Sequence, residues 1–260
     1  MSALNTQKKI DETWDFCISQ YGLDRCVAIT LHGSQNYELD LPESDVDAKL
    51  FIVPTWDEVI FCKQPISKTI KGPYGDVNVT DIRLFIDNNL KKQNFNFLEC
   101  LFTIYSCVNP CYADLWEQLI KHREEIAHYN PAAAVRTMIG QVENQWRRWD
   151  NFSRKDGEPF DNKKTLYHMA RIHSAIGRYQ DGLPFVDTLI ADNHDWIMQV
   201  RLGKLDEEAM EIFFRSLYED AHRLAESEYK GKSYELIDIV LDELQRQFTY
   251  RALYEMRVEE

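Results

Sequence analysis

Apolar residues recur at helical spacing near the start of the chain. Ile10, Trp14, Cys17 and Ile18 share one face of a helix predicted over 7–22, which Gly22 ends. The pattern then changes. CVAITLH, residues 26–32, is an unbroken apolar run rich in β-branched side chains, the mark of a buried strand. VDAKLFIVP, 46–54, predicts a second strand that Pro54 stops, and Thr55 is placed to cap a short helix after it. Over 76–82 polar and apolar residues alternate, which predicts a third strand behind the turn-forming KGPYGD of 71–76.

From about residue 83 the helical period takes over. Asn130 and Pro131 open a helix whose Val135, Met138, Ile139, Val142, Trp146 and Trp149 lie on one face. A polar loop is predicted over 151–162, then a helix to about 180 and another over roughly 206–228. The last helix runs from about 233, with Leu236, Val240, Leu244 and Phe248 as its apolar stripe. Strands come early and helices late, so the expected class is α+β with a helical C-terminal region.

Composition narrows the function. Hydrophobic residues make up 44% and aromatics 12% of the 260 residues, enough for a packed core in one large domain or two small ones. A net charge of −13 argues against a protein that coats nucleic acid. No apolar run approaches the ~20 residues of a membrane span. MSALNTQKKIDETW lacks the apolar core of a signal peptide, so cytoplasmic residence is expected, with no membrane partner. The six cysteines include no C-x-x-C pair and read as reduced, mostly buried thiols.

The candidate chemistry lies in LHGSQNYELDLPESDVDAKLF, residues 31–51. Residues i and i+2 of a strand point to one face, so Asp45 and Asp47 project together. Two carboxylates that close repel unless a cation lies between them, and Mg²⁺ or Mn²⁺ suits such oxygen ligands. Gly33-Ser34 lets the backbone approach a ligand, the N–H groups of the pair can hold phosphate oxygens, and Ser34 adds a hydroxyl. A lone Asp-x-Asp is common at solvated strand starts. An apolar strand, Gly-Ser, ten residues, then Asp-Val-Asp opening a second apolar strand is more specific. Phosphoryl or nucleotidyl transfer with metal assistance is the chemistry this pattern suits.

This arrangement resembles the DNA polymerase β-type nucleotidyltransferase superfamily, whose signature is strand, Gly-Ser, spacer, Asp-x-Asp. More narrowly, it is similar to a "predicted nucleotidyltransferase" family of bacteria and phages, some members of which are associated with RNA repair. GSQNYELDLPESDVDAKLFIVP, DIRLFIDNNLKKQNFNFLECLF with Asn94 and Glu99, Arg123, KTLYHMARIH and VRLGKLDEE carry the similarity through most of the chain. Two positions depart from it: Glu38 where the family usually has glycine, and Phe95 where it often has proline.

The resemblance implies a mixed β-sheet core flanked by helices. Residues 1–115 would be the catalytic core, and 116–260 a helical domain completing the nucleotide site. It implies a Mg²⁺-dependent (or Mn²⁺-dependent) transfer of a nucleoside monophosphate from an NTP to an acceptor hydroxyl, with an RNA end such as tRNA as acceptor. It also implies a third carboxylate beside Asp45 and Asp47. Asp76 and Asp81 are the candidates, and strand alternation favours Asp76, which shares a face with Asn78 and Thr80. Glu99 is expected to orient other groups rather than bind metal. Lys164, His168, Arg171 and Arg178 fall on one helix face by spacing alone, a pattern usual for solvated faces. The family match instead makes Lys164 and Arg171 phosphate contacts, with His168 an orienter or phosphate donor and Arg201 a weaker candidate. His32, beside the Gly-Ser turn, reads first as ordinary strand-end packing and second as a substrate contact. Alternative readings are nucleotidylation of a protein or small molecule, and a nucleotide- or RNA-binding module without turnover.

Overall fold

The computed structural model describes residues 3–153 and 162–255. The chain divides into two compact units. One runs to Tyr129 and resumes at Tyr234, and the other spans Asn130–Ser233.

The first unit is built on a five-stranded mixed sheet in the order β3-β4-β2-β1-β5. The strands are β1 (Cys26–His32), β2 (Asp47–Ile52), β3 (Ser67–Lys71), β4 (Asp76–Asp81) and β5 (Ser106–Val108). β1 pairs antiparallel with β2 and β5, β2 runs parallel to β4, and β3 returns antiparallel along β4. Thus the expected α+β class, with a mixed sheet and flanking helices, is what the chain forms.

Side-chain alternation gives the sheet two unlike faces. Ile29, Leu31, Val46, Ala48, Leu50, Ile52, Val77 and Val79 point to one face and bury against Ile10 and Cys17 of the first helix, α1 (Ala3–Tyr21). Their residue types favour this half-buried pleat, and their burial drives the layer together. The intervening residues rise from the other face. At one end of it, Phe51 meets Phe85 at 4.0 Å and Trp116 at 5.3 Å between ring centroids. Toward the other end the face turns polar, with Lys49, Asn78, Asp47, Asp76 and His32.

The short helix Trp56–Ile60 begins as expected, with Thr55 and Glu58 forming a reciprocal capping box. β3 and β5 were not predicted. β3 is almost wholly exposed and carries no apolar stripe, and β5 has only three residues. The final helix, Ile237–Tyr250, belongs to the first unit, where Lys91 binds Asp242 at 2.5 Å and Gln245 donates to Asp87 at 2.9 Å. Its buried stripe is Ile237, Leu241, Leu244 and Phe248. Leu236 is 75% exposed, which corrects the expected stripe. Steps of four drift by about 40° each on a helix of 3.6 residues per turn, so a core-facing stripe must mix steps of three and four.

The second unit packs the helix Asn162–Gln180 between Pro131–Ser153 and Glu207–Ala225, with His194–Arg201 alongside. Trp149 stacks on Phe214 at 4.9 Å and Trp146 on Tyr218 at 4.6 Å, so both tryptophans pack within this unit. The loop expected over 151–162 is entered by helix as far as Ser153, and 154–161 lie outside the described residues. Cys17, Cys26 and Cys100 are buried, but Cys62 and Cys111 are exposed, so only half of the thiols match the buried reading. No described helix is long and apolar enough to cross a membrane.

Candidate functional site

The polar end of the sheet is assembled by strand register. β1 ends with His32, directly across from Asp47, the first residue of β2. On the far side of β2, the Asp76 N–H donates to Asp47 Oδ1 at 2.8 Å. Asp45 is two residues before Asp47 and exposed, while Val46 between them is buried. Asp45, Asp47 and Asp76 therefore border one end of the polar face. Gly75 makes the junction possible, because a Cβ there would lie 2.7 Å from the Val46 carbonyl oxygen and 2.8 Å from Asp47 Oδ1.

Asp81 ends differently from Asp76. It is fully buried, accepts from the Arg83 N–H at 2.9 Å, and binds the Arg83 guanidinium through both oxygens at 2.9 and 2.7 Å. That fork commits both of its oxygens. Asp76 keeps a side chain 47% exposed, bound to the Lys71 ammonium at 2.6 Å. Lys71 has its pKa raised, first by the hydrogen bond to Asp76 and then by that carboxylate's charge, with smaller effects from Asp45 and Asp47. One ammonium thus feels all three carboxylates.

Among the described residues no group of three or more His, Cys, Asp and Glu side chains is arranged to hold a metal ion. The donor chemistry nevertheless suits a hard cation. Three carboxylates lie at one strand end, and Lys71, 89% exposed, already places an ammonium on one of them, Asp76.

Between β1 and β2 the chain turns at Gly33, whose φ of 104° is open to glycine alone at little cost. Ser34–Tyr37 then form one turn of 3₁₀ helix, tied down by Asn36 Nδ2 to the Leu31 carbonyl at 3.1 Å and Gln35 Nε2 to the Asp45 carbonyl at 3.0 Å. The turn closes at Glu38, whose φ is 59°. That backbone is left-handed, a conformation glycine adopts at least cost.

Three features of this face went unread in the sequence: two lysines and the partners of Glu99, which was expected only as an orienting group. Lys49, two residues beyond Asp47, is 4% exposed, with its ammonium 4.7 Å from the Phe97 ring centroid. Burial pushes its pKa down, against the opposing effects of Cys100 and Asp47. A lysine inside the apolar run AKLFI was the available signal. Second, Glu99 is fully buried and accepts from Tyr37 Oη on one oxygen, while its other oxygen meets His32 Nδ1. Third, Lys71 lies among the carboxylates on a strand that had no hydrophobic signature.

Asn94 caps the helix Phe95–Leu98, Phe95 is buried, and Arg123 lies over the Phe102 ring at 5.1 Å, so all three have structural work.

Lys164, His168 and Arg171 lie on one helix of the second unit. Lys164 is exposed, His168 intermediate and Arg171 buried. Arg178 is tied to the Asp187 carbonyl at 2.7 Å and to Asp192. The His168 ring lies 4.2 Å from that of Tyr167, and Arg201 sits over the same tyrosine at 4.8 Å. Burial lowers the His168 pKa to about 3, and the charges of Arg171, Lys164, Arg201 and Arg148 lower it further. His168 is therefore neutral at pH 7. The unfolded chain protonates it below about 6.5 and the folded chain only near 3, so its contribution is complete at neutral pH and is lost as pH falls through that window. The expected loss is up to about 1.4 kcal/mol per pH unit. Urea unfolding from pH 7 to 4 should show a steeper decline for the natural chain than for His168→Gln.

No protein-family model matches the sequence, and no curated protein matches it. Among solved structures, a nucleotidyltransferase-like protein from Exiguobacterium sibiricum aligns over 96% of this chain and 80% of its own, at 13% identity and a TM-score of 0.30. That likeness is too remote to carry fold or function across. The class of this chain rests on its own sheet: an α+β protein with a carboxylate-bordered polar sheet end beside a Gly-Ser turn.

Proposed function

We propose that the chain is a nucleotidyltransferase dependent on Mg²⁺ or Mn²⁺, moving a nucleoside monophosphate from an NTP to an acceptor hydroxyl and releasing pyrophosphate. The observation that carries this reading is the trio Asp45, Asp47 and Asp76 at one strand end, with the Asp76 N–H on Asp47 Oδ1 at 2.8 Å and the Lys71 ammonium on Asp76 at 2.6 Å.

These carboxylates would hold the divalent ion in place of the Lys71 ammonium. Such an ion, when bound, neutralises charge on the phosphates and makes the α-phosphorus more electrophilic. The Asp76 N–H restrains Asp47 before any ligand arrives. Gly33 and Ser34 hold the triphosphate through N–H groups and the serine hydroxyl. The acceptor we favour is an RNA end such as tRNA, in keeping with the resemblance to repair-associated proteins.

The test is pyrophosphate release from each of the four ribonucleotides with Mg²⁺ or Mn²⁺ and total RNA, using α-labelled NTP. Release is expected from the natural chain and is expected to drop at least a hundredfold in Asp45→Ala/Asp47→Ala. Label in RNA supports the RNA acceptor, and label in protein or small molecules replaces it. Release that persists in the double variant, or no nucleotide binding by the natural chain, overturns the reading.

A further inference from the structure

The Glu99 carboxylate is fully buried, yet it is reached by two groups from the β1–β2 connection: Tyr37, 62 residues away in sequence, and His32, 67 away. Tyr37 is 2% exposed, while the His32 side chain is 26% exposed. Glu99 and Tyr37 thus form a buried support for a half-exposed imidazole. That imidazole lies across from Asp47 and next to Gly33.

Hydrogen-bond direction follows from the partners. An ionised carboxylate only accepts. Tyr37 donates its O–H to one oxygen, and the other oxygen meets His32 Nδ1, where a carboxylate takes the ring's N–H. A neutral histidine that donates from Nδ1 has a bare lone pair on Nε2. Such a ring nitrogen repels a phosphate oxygen and accepts from an O–H. The same placement beside a phosphate-binding turn would otherwise suggest an anion contact.

We infer that His32 Nε2 accepts a hydrogen bond from a substrate hydroxyl, with Glu99 and Tyr37 as positioning residues that fix the ring and its tautomer. This deepens the nucleotidyl-transfer reading and rests on it for the ligand. The hydroxyl comes either from the nucleotide ribose or from the acceptor.

Two measurements decide the matter. The first is the tautomer of His32 at pH 7.5 in protein carrying ¹⁵N-histidine, with the signal assigned by its loss in His32→Gln. The Nδ1–H form is expected, and the Nε2–H form overturns the inference. The second compares the natural chain, His32→Gln and His32→Phe in binding ATP, 2′-deoxy-ATP and 3′-deoxy-ATP, and in labelling total RNA. Glutamine keeps an acceptor near the Nε2 position, and phenylalanine keeps the ring without one.

If the ribose is the source, loss of one hydroxyl weakens binding to the natural chain about five- to tenfold and changes nothing in His32→Phe. If the acceptor is the source, the three nucleotides bind alike and RNA labelling falls in His32→Phe but is retained in His32→Gln. Equal binding together with unchanged labelling in His32→Phe overturns this contact alone. Absence of any nucleotide binding by the natural chain overturns the nucleotide reading, and this contact with it.

Discussion

Glu99→Ala is expected to destabilise the first unit by about 3–5 kcal/mol, the combined cost of leaving two donors without their acceptor and of the void left behind. The carboxylate has no solvent to replace it, since Glu99 is 0% exposed and Tyr37 only 2%. Truncation removes the acceptor of the Tyr37 O–H and of the His32 ring at once, and leaves a void where the side chain stood. The 3₁₀ turn carrying Gly33 and Ser34 ends at Tyr37, so its hold on the sheet weakens as well. Urea unfolding monitored by circular dichroism measures the effect. Glu99→Gln should cost about 1–3 kcal/mol, because its amide keeps one acceptor but turns a donor toward a donor. Equal stability of the natural chain and Glu99→Ala would show that the cluster contributes nothing to the fold.

Gly75→Ala is the second large effect, expected at about 1–3 kcal/mol with loss of pyrophosphate release. The new Cβ would lie 2.7 Å from the Val46 oxygen and 2.8 Å from the Val46 carbonyl carbon. Those are backbone atoms, which no rotamer change can move aside. β2 and β4 would have to part where the Asp76 N–H binds Asp47 Oδ1, so the strain falls on the carboxylates themselves. The control is Gly140→Ala. Gly140 is within the helix Pro131–Ser153 with no atom inside 4 Å of an added Cβ, and alanine there should be neutral or stabilising by up to about 1 kcal/mol. Chemical denaturation of both variants gives the stability comparison, and pyrophosphate release gives the functional one.

Much of the first unit is determined by short-range pattern. β1 was legible to the residue, because its seven positions are an apolar run and six of them are buried. β2 and β4 were legible within one or two residues, since strand periodicity and the surrounding Pro and Gly are local properties. The same periodicity placed Asp45 and Asp47 on one side before any partner strand was known. It also favoured Asp76 over Asp81, five residues apart and so on opposite faces of one strand, without showing what either would meet. Their difference depends on what packs at each end: Arg83 closes over Asp81, while Asp76 meets Asp47 and Lys71.

Sequence by itself therefore determined the strand, Gly-Ser turn and Asp-x-Asp unit, together with the helices of strong period. Tertiary structure alone decided what faces that unit. Edge strands β3 and β5 form through pairing with a neighbour rather than through burial of their own side chains. The Glu99–His32–Tyr37 contact joins positions more than sixty residues apart, and the last helix joins the first unit across the whole of Asn130–Ser233. The physical reason is the range of the forces. Backbone geometry and side-chain period act over a few residues, whereas pairing, burial and charge compensation act between whichever segments the fold brings within a few ångströms.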